Sequence, residues 1–125
     1  MRPAAPAHSV NSYNGFTSSQ REKAQRWLNA EVAAGRLSWP TRCDICADTA
    51  GPFDFHAEDY SEPFGPKTHQ FGLCKRCHGA IHRRFAFPDS FDQYVRGLVA
   101  SRIPDARPDL LTQIAAHEFD PRRNP

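Results

Sequence analysis

The chain has little apolar material and little net charge. Only 39% of its 125 residues are hydrophobic, and no apolar run approaches the roughly 18 residues needed to cross a bilayer, so an integral membrane protein is not expected. Met1 to Asn14 lacks the apolar stretch of a secretory signal, which leaves a cytoplasmic location as the expectation. The formal net charge is only +2, so composition alone does not mark a binder of polyanions. No βαβ pattern is present, and no internal repeat apart from two cysteine pairs. Eleven prolines, about twice average usage, point to irregular segments around a thin core. A core this thin in so small a domain usually needs a covalent or metal staple.

Charge is distributed unevenly. From Cys43 to Glu62 there are six acids (Asp44, Asp48, Asp54, Glu58, Asp59, Glu62) and no lysine or arginine. From Cys74 to Arg107 there are seven bases (Lys75, Arg76, Arg83, Arg84, Arg96, Arg102, Arg107) against three acids. That asymmetry suits a cationic surface beside a carboxylate-rich pocket, and it is equally the pattern of two ordinary solvated faces.

Residues 1–16 read as a flexible arm with a turn at Asn14-Gly15, and 17–119 as a single domain followed by a tail, 120–125. Within the domain, 17–36 is predicted helical. Ser19 with Glu22 forms a capping-box pattern, Ala24, Trp27, Leu28 and Val32 recur at helical spacing, and Gly35 supplies the stop. Trp27 is expected to anchor packing rather than to stack on bases. Residues 37–87 form a core unit with strand-like pieces at Arg36–Trp39, Phe53–His56 and Gln70–Leu73. A second helix is predicted from Cys74 to Phe85, ended by Pro88. The segment 88–119 carries two more: one from Ser90, capped with Gln93, and one from Pro108 to Phe119.

All four cysteines fall in two C-x-x-C pairs, Cys43/Cys46 and Cys74/Cys77, with 27 residues between the pairs. Each pair presents two thiolates on one side of a knuckle, and two knuckles complete the tetrahedron that zinc prefers. Structural Zn2+ is therefore expected, in preference to two disulfides, because nothing signals secretion. A knuckle, a hairpin and a helix whose first turn completes the site make a treble clef. The fold class expected is α+β: a small zinc-stapled treble clef flanked by helices. Cys74, Cys77, Ile81 and Phe85 share one face of the second helix.

Four of the six histidines lie between the first knuckle and the end of that helix. His78 and His82 are i, i+4 neighbours, close enough to share a metal ion or a phosphate. His56 lies in Phe53-Asp54-Phe55-His56-Ala57-Glu58-Asp59-Tyr60, and His69 precedes Cys74 by five. His8 and His117 read as surface residues.

His56…His69…Leu73-Cys74-Lys75-Arg76-Cys77-His78-Gly79-Ala80-Ile81-His82 resembles the HNH endonucleases, over about residues 40–85. The resemblance implies a ββα-metal core, a structural zinc, and a separate catalytic metal such as Mg2+, Mn2+ or Ni2+. His78 matches the family's final metal ligand. His82 matches a second helical ligand found in the bacterial colicin nucleases. His69 stands where the family usually has the asparagine that orients the general base. The hairpin doublet departs from the pattern: with His56 as ligand the base position is Ala57, and with His56 as base the ligand position is Phe55. Glu58 or Asp59 could replace the missing member, since carboxylates ligate Mg2+ and Mn2+. The resemblance further implies a bacterial, phage or mobile-element setting.

The function expected is binding of nucleic acid, DNA before RNA, with metal-dependent hydrolysis of phosphodiester bonds. Lys75, Arg76, Arg83 and Arg84 would grip the phosphates in a salt-sensitive, sequence-poor manner. The alternative is a catalytically degenerate zinc module that binds nucleic acid or a protein partner without cleavage.

Overall fold

The computed structural model describes residues 12–116, a mixed α+β chain of four helices and two small antiparallel sheets. It opens with a tight hairpin, β1 (Ser12–Tyr13) and β2 (Phe16–Thr17), in which Tyr13 pairs with Phe16. Asn14 and Gly15 turn the corner with φ of 51° and 86°, the positive values that an Asn-Gly hairpin turn requires. Residues 12–16, expected in a flexible arm, are thus built into the body: Tyr13, Asn14 and Phe16 are all buried. Residues 1–11 of that arm lie outside the described residues, as do His8, His117 and the tail.

The hairpin sets the start of α1 (Ser18–Ala33). Thr17, the last residue of β2, is extended and caps the helix. Its Oγ1 accepts from Gln20 N at 3.2 Å, and Gln20 Oε1 accepts from Thr17 N at 2.8 Å. This capping box replaces the one expected at Ser19 and Glu22, because the strand delivers the chain in extended geometry two residues earlier. Ala24 and Leu28 form the buried stripe, and Gly35 closes the helix at φ 79°.

Arg36–Trp39 forms no strand. Trp39 instead lays its indole across the next sheet, with Nε1 donating to Phe53 O at 2.8 Å. That sheet pairs β3 (Phe53–His56) with β4 (Phe71–Cys74) in the register Phe53↔Cys74, Asp54↔Leu73, Phe55↔Gly72, His56↔Phe71. A short 3₁₀ helix, Pro66–His69, precedes β4. Gly72 is required for close approach: a Cβ there would lie 2.6 Å from Pro40 Cβ. Its amide donates to Asp44 Oδ2 at 2.7 Å, and its carbonyl accepts from Asp44 N at 2.8 Å. The first cysteine knuckle is thereby pinned to β4.

Three helices follow: α2 (Lys75–Arg83), α3 (Pro88–Ser101) and α4 (Pro108–Ala115). Pro88 opens α3 at its first turn, two residues before the expected Ser90, where its fixed φ and missing N–H cost nothing. Gln93 takes no part in a cap, since α3 has no side-chain cap. α2 packs on α3, α4 and both strands of the second sheet. The core gathers Ile45, Leu73, Ile81, Leu98, Leu111 and Ile114 around the four cysteines, with Tyr13 reaching in from the hairpin. No helix among the described residues is long and apolar enough to cross a membrane.

Because Phe16 is 1% exposed, Phe16→Ala is expected to destabilise the fold by about 3–5 kcal/mol. Urea unfolding measures this, and a midpoint equal to that of wild type would return residues 12–16 to the status of an arm.

Candidate metal centres

Two clusters of side chains able to ligate a metal converge at α2, one at its start and one along its side. The first comprises Cys43, Cys46, Cys74 and Cys77, all buried and all free of disulfides. Their sulfurs lie within 4.8 Å of one another, and Cys46 Sγ and Cys74 Sγ are 3.6 Å apart. Thiolates held about 2.3 Å from a tetrahedral zinc would stand roughly 3.8 Å apart, so the four form a set compatible with zinc. Both knuckles have the same local geometry. Cys46 N donates to Cys43 Sγ and Cys77 N donates to Cys74 Sγ, each at 3.5 Å, so the backbone amides stabilise charge on sulfur. Cys74 is also the N-cap of α2. The Tyr94 hydroxyl, 3.1 Å from Cys77 Sγ, provides a further polar contact from α3.

The second cluster is His56, His78 and His82, whose ligand nitrogens also fall within 4.8 Å of one another. Strand alternation and helical phase together account for it. Asp54 and His56 occupy one face of β3, and His78 and His82 lie one turn apart on α2. Each of two imidazoles is held by a carboxylate. His78 Nδ1 donates to Asp54 Oδ2 at 3.1 Å, which leaves the Nε2 lone pair facing His82 Nε2 at 3.0 Å. His56 Nε2 lies 2.6 Å from Glu58 Oε2, and its Nδ1 is buried with no hydrogen-bond partner among the described residues. Two nitrogens bound about 2.1 Å from a tetrahedral ion stand roughly 3.4 Å apart, close to the spacing of His78 and His82.

Burial holds all three rings neutral, the state in which imidazole ligates. Burial lowers His78 to about 4 and His82 to about 2, reinforced by the closeness of the three rings, since protonating one would oppose protonation of the others. His56 is lowered by burial as well. Burial alone would raise Glu58, but the hydrogen bond from His56 and the charge of Arg84 outweigh it and keep the carboxylate ionised.

Glu58 is the centre of a buried polar network. Its Oε1 accepts from Arg84 at 2.6 Å, and its Oε2 accepts from the Tyr13 hydroxyl, whose oxygen in turn accepts from Arg84. Arg84 is 7% exposed, so it is not available to grip nucleic acid as the sequence suggested. Its position just past α2 turns it inward to the carboxylate. Glu58 is the partner of a ligand rather than one of the clustered ligands.

Five other candidates stand outside the two clusters. His69 packs against Trp27 and Phe55, with ring centroids 6.3 and 6.1 Å away. Phe55 lies on the β3 face opposite His56, so His69 is not in the cluster. Asp59 bonds the amide and hydroxyl of Ser61 at 2.8 and 2.6 Å, closing the loop before the 3₁₀ helix. Lys75 pairs with Asp54 at 2.6 Å on the exposed side of His78. Arg76 and Arg83 are exposed, and the charge of Arg76 is coupled to Tyr94 and to the Cys74 and Cys46 sulfurs. The roles of Asp54 and Tyr13 were missed in the sequence. Asp54 had a readable signal, two residues before His56 on the same strand face; that of Tyr13 depends on how the hairpin docks.

No family model, curated protein or solved structure matches the chain. The reading of both centres therefore rests on their own geometry.

Imidazoles that stay neutral in the fold below their ordinary 6.5 bind fewer protons than in the unfolded chain, so acid favours unfolding. The His78 contribution is expected to be lost between about 6.5 and 4, and that of His82 to continue lower. His82→Gln should flatten the dependence of thermal midpoint on pH between 7 and 5, and parallel curves for the two proteins would refute it. A metal bound to the same rings gives the same sign, because protons compete with it.

Proposed function

We propose that the chain is a zinc-stapled, treble-clef protein of the HNH type that binds nucleic acid and hydrolyses phosphodiester bonds at a second, exchangeable metal. The observation that carries this reading is the three-histidine cluster with a carboxylate behind two of its members, Asp54 on His78 and Glu58 on His56. Carboxylates in that position fix the ring, its tautomer and its basicity toward a metal. A purely structural protein already stapled by four cysteines gains nothing from a second convergent set of neutral, buried donors.

In this reading zinc occupies Cys43, Cys46, Cys74 and Cys77, and His56, His78 and His82 hold Mg2+, Mn2+ or Ni2+. A divalent ion there supplies Lewis-acid stabilisation of the charge that develops on a phosphodiester under attack by water. The chain's own residues orient and attract. Glu58 and Asp54 aim the imidazoles, the buried Arg84 keeps Glu58 ionised, and the exposed Lys75, Arg76 and Arg83 draw the polyanion in. DNA is the expected substrate.

One observation favours a second reading, a module that binds without cleaving. The residue after His56 is Ala57, which has no side chain to take a proton, and His69 lies on the other face of β3. Loss of a general base costs about 10² to 10⁴ in rate while leaving metal and phosphate binding intact.

Supercoiled plasmid incubated with Mg2+, Mn2+ or Ni2+ separates the two. Nicking that EDTA stops, that His78→Ala abolishes and that Asp54→Asn weakens by about 10–100-fold is the expected result. Plasmid retained at low salt but left intact would establish the binding module, and plasmid neither nicked nor retained would remove nucleic acid from the reading. Elemental analysis is expected to find one tightly held zinc per chain. Its removal by a strong chelator should unfold the core, since such sites contribute on the order of 10 kcal/mol to folding. A chain that keeps its near-ultraviolet circular dichroism without zinc would overturn the staple.

A further inference from the structure

His78 also lines a cleft of about 320 Å³ between α1 and the second sheet. The volume lies within the range of small-molecule sites, about 300–1,000 Å³. The side of α1 facing it presents Arg21, Glu22 and Gln25, while Phe55, Ala57 and Tyr60 come from β3 and the loop after it. Ala57 contributes only a methyl group, which keeps the space near His78 open.

Arg21 is the unusual residue of this cleft. Its guanidinium lies 5.8 Å from the ring centroids of both Tyr13 and Tyr60, held by two aromatic faces. Its guanidinium donates to the Tyr60 hydroxyl, its Nε is buried with no hydrogen-bond partner, and no carboxylate pairs with it among the described residues. The Tyr13 ring that it faces lies 4.1 Å, centroid to centroid, from the ring of His82, and His78 lines the same cleft, which places Arg21 near the candidate metal centre. A half-buried guanidinium without a counter-ion, open to a cleft, is suited to an anion, and its planar fork matches phosphate oxygens. Phosphate alone would fill only part of the space. The rest of the lining includes the rings of Phe55 and Tyr60 and the side chain of Leu28, which suit a flat heterocycle.

We propose that this cleft is a nucleotide subsite, in which Arg21 binds a backbone phosphate beside the three-histidine centre and Tyr60 and Phe55 receive the attached base. The proposal deepens the reading of a nucleic-acid protein and rests on it for the substrate class. Glu22 lines the same cleft without a cationic partner among the described residues, so its carboxylate opposes the anion. The sign of its effect is therefore opposite to that of Arg21.

The test titrates the zinc-replete, full-length chain with thymidine 5′-monophosphate, inorganic phosphate or thymidine, followed by 1H–15N NMR. The monophosphate is expected to bind tightest and to shift amides of α1 and of Tyr60. Arg21→Gln should weaken it by about 10–100-fold, the usual worth of a charged hydrogen bond. Arg21→Lys, which keeps the charge on a similar stem, should lose less. Glu22→Gln, on the exposed side of α1, should tighten binding by roughly two- to fivefold. Equal affinity in wild type and a folded Arg21→Gln protein would overturn the proposal, as would tightening by Arg21→Gln or weakening by Glu22→Gln. Inorganic phosphate binding as tightly as the monophosphate would overturn the nucleotide assignment. Mn2+ broadening of His56, His78 and His82 resonances, read in the same samples, keeps the two ideas apart. Broadening without Arg21-dependent nucleotide binding sinks the subsite alone. Nucleotide binding that depends on Arg21 without broadening supports the subsite and overturns the second metal.

Discussion

The convergence of four cysteine sulfurs is the constraint on which the rest of the molecule depends. It joins two segments 27 residues apart at one point, and that point is at once the end of β4, the cap of α2 and the anchor of the first knuckle. Gly72 and Asp44 add two backbone-centred hydrogen bonds that hold the knuckle to the strand. With Cys74 fixed, the helical phase of α2 follows, and β3 pairs on β4 in the register that sets Phe53 opposite Cys74. Register places His56 opposite Phe71, and phase places His78 and His82 beside Cys77 on the turn that faces β3. The three-histidine cluster thus depends on the cysteine site for its two helical members and on the sheet register for His56. A slip of one residue in the sheet would turn His56 to the other face and dissolve it.

The buried network around Glu58 has a different logic. A carboxylate and a guanidinium, both about 5% exposed at the side chain, are expensive to desolvate, and apolar residues of similar shape would often stabilise the fold as well or better. Its retention makes sense through His56. An ionised Glu58 accepts the Nε2 proton, which leaves the lone pair on Nδ1, and Arg84 with Tyr13 prevents the carboxylate from turning away. The hairpin at 12–17 has the same role at one remove: by delivering Tyr13 to Glu58 it ties the hairpin to the carboxylate beside His56, more than forty residues on. Stability and site geometry are coupled in these few groups.

Local spacing carried much of this information. The two C-x-x-C pairs, the strand at Phe53–His56, the helix after Cys74 and the neighbourhood of His78 and His82 were all legible, because each depends on residues within a turn or a strand length. What was not legible depends on docking. Asn14-Gly15 announced a turn, but nothing nearby said that Tyr13 and Phe16 would be buried. Arg84 read as one more base on a cationic helix, and only the position of Glu58 turns it inward. His69 stood at a suggestive distance from Cys74, yet the 3₁₀ helix at Pro66–His69 and the alternation of Phe55 and His56 put it on the wrong side of the sheet. Strand character at Arg36–Trp39 gave way because Trp39 found a better partner in the carbonyl of Phe53.

Local charge, more than net charge, decides what the proposed site attracts. Four thiolates around a divalent ion leave two negative charges at the start of α2, where Arg76 lies in their field. Three neutral imidazoles around a divalent ion leave both positive charges in place, a few residues further along the same helix. Glu58 and Arg84 cancel each other there, and Lys75 offsets Asp54, so Arg21 adds to the ion against little opposition except Glu22. A chain with a formal charge of only +2 can therefore present a strongly cationic point next to an open cleft. Attraction focused at one point engages few phosphates, so in this reading the ion and Arg21 set where a phosphate sits, while the exposed Lys75, Arg76 and Arg83 carry the salt-dependent part of the attraction.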